Sequence, residues 1–119
     1  MLSKFEWIKA KLESSIMRYV LVKDFGWAMD SGECRKYLPS GFRHTFLLRY
    51  PSLVFTSYRK AMYKQLLKAG ELTDDMKDEE TFDIEKADRV VPPGRMFHAC
   101  NELWGHVREH LDSNPIVID

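Results

Sequence analysis

Apolar residues early in the chain recur at helical spacing. Phe5, Ile8, Leu12 and Ile16 fall on one face of residues 2–17, the stripe of an amphipathic helix. Ser3 stands where a cap belongs and Glu6 follows three residues later, as in a capping box. Trp7 lies off the stripe, at the edge of a core or against a partner. The period then changes. Tyr19, Val20, Leu21 and Val22 are apolar in succession, which predicts a strand over 19–25 covered on both faces. Asp24 closes it and is placed to cap 25–29. Asp-Ser-Gly and Leu-Pro-Ser-Gly mark residues 30–41 as a loop.

Two periods meet within residues 41–65, the central stretch of the chain. The apolar run 42–50 is too short for a helix and is bounded by turn residues, so it predicts a buried strand. Pro51 then sits at a first helical turn, where its missing N–H costs nothing. Leu53, Val54, Tyr58, Ala61, Met62 and Leu66 carry the helix onward to Gly70, its cap. Residues 71–92 form an acidic insert with nine carboxylates from Glu71 to Asp88, read as a solvated loop, short surface helices or a mobile lid. Met96, Cys100, Leu103, Val107 and Leu111, widened by Phe97 and Trp104, predict a last helix over 95–111. Asp112-Ser113-Asn114 is a turn and 115–119 a final strand.

Alternating strands and helices predict an α/β fold: a three-layer, doubly wound, mainly parallel sheet with helices on both faces, in a single domain 1–119. An open sheet edge is expected, covered in a homodimer with exchanged elements or by another partner.

Composition changes this picture little. A 45% hydrophobic, 30% charged chain of 119 residues is ordinary globular material. A formal net charge of +0 supplies no field for nucleic acid and little protection against self-association. Cys34 and Cys100 are too few for a disulfide scaffold and point to reduced thiols and a cytoplasmic setting. No apolar run approaches the roughly 18 residues of a membrane span, and the first residues lack a signal-peptide core.

The candidate chemistry gathers after the central strand. A strand ending in Arg49 and turning through Pro51 into a helix can hold an anion, since the helix start offers unpaired N–H groups and the positive end of its dipole. Thr56 and Ser57 add hydroxyls, and Arg59 lies near enough to reach a bound phosphate. The alternative is that Arg49 only pairs with a carboxylate. His106 and His110 stand four apart, a spacing that suits a metal or equally two polar residues at a helix end. The insert lacks EF-hand spacing, so no metal is expected there. Cys100 belongs to a helix stripe two residues from His98. His44 opens the central strand, and Trp27, Phe42 and Tyr50 serve either the core or an adenine ring.

His44-Thr45-Phe46-Leu47-Leu48-Arg49-Tyr50-Pro51, followed by Ser57-Tyr58-Arg59, resembles the 3′-phosphate-binding segment of the P-loop sulfotransferase-like family. Val20-Leu21-Val22-Lys23-Asp24-Phe25 and Pro115-Ile116-Val117-Ile118-Asp119 are similar to two further strands of that family, so the resemblance runs over about residues 19–119. It implies that Arg49 and Ser57 clamp the 3′-phosphate of phosphoadenosine phosphosulfate or adenosine 3′,5′-bisphosphate. The family's glycine-rich 5′-phosphosulfate loop has no counterpart among the 6 glycines. The chain is thus expected to be a sulfotransferase-type domain without its N-terminal part, and not catalytic alone. The other expectation, of a different class, is a non-catalytic interaction or oligomerisation module.

Overall fold

The computed structural model describes residues 4–29, 31–87 and 90–119. Ser3, Asp30, Asp88 and Arg89, which bear on the predicted cap, loop and insert, lie outside the described residues. In chain order come helix α1 (Lys4–Glu13), a 3-10 turn (Gly26–Met29), the short helix α2 (Gly32–Arg35) and strand β1 (Thr45–Leu47). Helix α3 (Pro51–Ala69), two 3-10 turns (Asp74–Met76 and Ile84–Lys86), helix α4 (Pro93–His110) and strand β2 (Ile116–Ile118) complete the order. The chain divides into two compact units, Met1–Leu47 with Met96–Ile118, and Leu48–Arg95 with Asp119.

The predicted three-layer, doubly wound sheet is not found. Two strands of three residues pair in parallel, Thr45 with Ile116, Phe46 with Val117 and Leu47 with Ile118. The runs 42–50 and 115–119 each contribute only their middle three residues to this pairing. Residues 19–25 form no strand. Among the described residues no backbone hydrogen bond reaches 19–23, and Tyr19 and Leu21 are 80% and 95% exposed. The physical reason lies at the two ends of the segment. Before it, the Glu13 carboxylate accepts from the Ser40 N–H at 2.9 Å and its hydroxyl at 3.1 Å. After it, Gly26 packs so closely on Cys100 that a Cβ would stand 2.6 Å from Sγ. The span between is held by those anchors and not by a ladder.

In the first unit, Ala99, Leu103 and Val107 of α4 form the buried stripe, Val107 at 1% exposure. Arg35 ties α2 to α4 through Glu102 at 3.0 Å while donating from Nε to the Met29 carbonyl. Phe5 of α1 stacks on Tyr37. The predicted first helix stops short, at Glu13, so Ile16 lies outside it and is exposed. Asp112 joins the approaches to the two strands. Its carboxylate is buried and accepts from the His44 N–H at 2.9 Å and the Asn114 N–H at 3.2 Å, with Arg43 Nε at 3.6 Å.

In the second unit, α3 starts with Pro51 and ends at Gly70, whose left-handed backbone (φ 70°) lets its N–H reach the Leu66 and Leu67 carbonyls. Tyr63 and Leu66 pack against Phe82, Ile84 and Ala87. The acidic insert is therefore not a wholly solvated lid: it carries half of a small core, with Phe82 only 3% exposed. Among the described residues its acids face solvent while three apolar residues turn inward, a split that a charge count averages away.

Candidate functional site

The predicted phosphate clamp can be built residue by residue. Tyr50 is the cap residue of α3 and offers no side-chain hydrogen bond to the helix start. Arg49, just before it, is exposed, and among the described residues nothing holds its guanidinium. This leaves an uncapped start of a 19-residue helix beside an exposed cation.

The other two residues point elsewhere. The Ser57 hydroxyl donates to the Leu53 carbonyl at 2.8 Å and approaches that of Val54 at 3.2 Å. Thr56 does the same to Ser52 at 2.8 Å. Both hydroxyls are folded back on their own helix. Arg59 is occupied more firmly. Its Nε donates to the Phe82 carbonyl at 2.9 Å, and one terminal nitrogen donates to the carbonyls of Glu79 and Glu80. It gathers three backbone acceptors of the acidic insert, with Tyr63 and Tyr58 adding hydrogen bonds to Lys77 and Val91. Of the predicted trio, Arg49 is exposed and unheld, Ser57 is exposed but self-satisfied, and Arg59 is a loop anchor.

The other candidates resolve in the first unit. His106 and His110 have ring centroids 4.7 Å apart. Burial, then the neighbouring His110 and Arg35, push the His106 imidazole below its usual pKa, against the pull of Glu109. Among the described residues no three His, Cys, Asp or Glu side chains gather as a metal site. Cys100 is half-buried, and burial raises its thiol above the ordinary range. Both cysteines are free thiols. His44 is held by Asp112 through its backbone, with Nδ1 3.9 Å from the same carboxylate. Trp27 stacks on Phe25 with 6.0 Å between centroids. Trp7, exposed, lies under the Lys11 ammonium.

A different feature stands out, and no predicted site residue belongs to it. Ile16, Met17, Tyr19, Leu21, Val22 and Phe25 are all exposed. The same unit holds a sheet with one unpaired edge on each strand, and Leu47, Ile116, Val117 and Ile118 are exposed upon it. Soluble surfaces seldom leave so continuous an apolar run uncovered. The sequence signal for it was the strand pattern itself: a run built to be covered on both faces that finds no cover within the chain.

No family model, curated protein or solved structure matches this chain. Among the described residues no helix is long and apolar enough to cross a membrane.

Proposed function

We propose that the chain is a non-catalytic protein-interaction module whose binding element is the apolar segment 16–25. The observation that carries this reading is Leu21 at 95% exposure within a strand-forming run that makes no backbone pairing. A partner that buries the run removes its apolar surface from water and satisfies its amides by strand addition. The free thiols fit a reducing, cytoplasmic setting. The test replaces the surface without touching the cores: Tyr19→Ser, Leu21→Ser and Phe25→Ser together. The triple variant is expected to keep its circular dichroism and melting behaviour, since exposed substitutions move stability by only about 0.5 kcal/mol each. It should lose association and the binding of a hydrophobic dye. Unfolding of the variant would place the segment in the core and end this reading.

A second reading rests on Arg49, the exposed cation beside an uncapped helix start. It keeps the nucleotide binding that the sulfotransferase resemblance implies, without catalysis. Ser57 then has to rotate from the Leu53 carbonyl to the phosphate. Calorimetric titration with adenosine 3′,5′-bisphosphate tests it directly. Heat that disappears in Arg49→Ala supports the clamp, and a flat titration removes it.

A further inference from the structure

Building on the interaction-module reading, we propose that the occupant is a second copy of this chain: residues 19–24 of each copy add as a strand to the free edge of β1 in the other. Donor and acceptor stand in the same unit. The donor is six residues of Tyr, Val, Leu, Val, Lys and Asp with unpaired backbone. The acceptor is the run 42–47, also six residues, of which only 45–47 are paired, and on one side. Two short strands alone are a marginal sheet, and a third strand is what such a sheet lacks.

The edge of β1 is the better acceptor of the two. Pro115 immediately precedes β2 and has no N–H to give, so a ladder along β2 stops at that residue. The run 42–47 contains no proline. The donor lies between two anchored points of its unit, Glu13 on Ser40 and Gly26 on Cys100. Because every copy carries one donor and one acceptor, reciprocal addition closes a two-fold dimer and leaves neither half unsatisfied. A net charge of +0 puts no long-range repulsion between identical chains.

The experiment uses the full chain with Cys34→Ser and Cys100→Ala, in two further versions carrying Leu21→Cys or Thr45→Cys. These residues lie near the middle of donor and acceptor, so they approach in either strand direction. Mixing the two versions under mild oxidation is expected to give a disulfide-linked species of twice the mass containing one of each. Either version oxidised alone should give little of it. Val22→Pro, which removes a ladder donor, should weaken association about tenfold or more while the circular dichroism is kept. A single-copy mass by sedimentation at high concentration would overturn the proposal. So would a chain with both cysteines that closes its disulfide only within one copy, or a dimer indifferent to Val22→Pro. These failures are distinguishable from failure of the module reading, which shows in the triple serine variant as unfolding or as unchanged dye binding.

Discussion

Asp112 takes the N–H groups of His44 and Asn114 on one buried carboxylate, at the point where the chain enters both strands. The His44 N–H is the chief cause that holds its pKa below the ordinary range; burial opposes, and the Asn114 N–H and then the Arg43 and His44 charges assist. A depressed folded pKa means that the unfolded carboxyl binds its proton at higher pH. The stability it contributes is full above the unfolded value near pH 3.9 and is lost as pH falls through the folded one. Asp112→Asn should therefore lower the urea midpoint at pH 7, and the gap to the parent should close in acid below about pH 4. A gap that stays constant from pH 7 to pH 3 would dismiss the carboxylate as the cause. Arg59 makes a parallel case in the second unit. Its fork meets three carbonyls, a geometry the single ammonium of lysine does not reproduce. Arg59→Lys is expected to cost about 1–3 kcal/mol and to speed proteolysis within 71–92. Under the phosphate-clamp reading it would instead change nucleotide binding and leave the protease pattern alone.

Glycine decides two element boundaries. Gly70 ends α3 with positive φ, so Gly70→Ala should cost about 1 kcal/mol, read as a lower melting temperature. Gly26 begins a 3-10 turn against α4, where a methyl group would meet Cys100 Sγ at 2.6 Å. Gly26→Ala is expected to lose about 1–3 kcal/mol by overpacking, and Cys100→Ala in the same chain should return part of it. No recovery in the double variant would mean that backbone strain, not the thiol, sets the cost. Helices α3 and α4 were legible because their signals are local, whereas α1 ends short of its apolar stripe and α2 lies in a stretch expected to be a loop. Pro51 and Gly70 bracket α3, and the Cys100–Leu103–Val107 spacing marks α4. The strands were not legible to the same degree. Of the run 42–50 only three residues pair, because a ladder needs a second backbone at the right distance, and nothing in a run's own residues supplies one.

At the scale of the molecule, the two units have their own cores, around Val107 in one and around Tyr63 and Phe82 in the other. Gly26→Ala and Arg59→Lys belong to different units and share no partner, so their effects on stability should add to within about 0.5 kcal/mol. A larger departure, measured in a double-variant cycle, would mean that the units unfold as one coupled body. By itself the sequence determined where α3 and α4 run and stop, that 19–25, 42–50 and 115–119 have the composition of strands, and that Arg49, Ser57 and Arg59 stand in or just before the first half of α3. Those are properties of neighbours along the chain. Tertiary structure alone decided which strands find partners, that Phe82 and Ile84 of an acidic stretch turn inward, and that Asp112 is a buried acceptor. It also decided that Arg59 closes a loop while Arg49 faces water. Each of these depends on which distant backbone arrives within hydrogen-bond or packing distance, and no local pattern of residues encodes that.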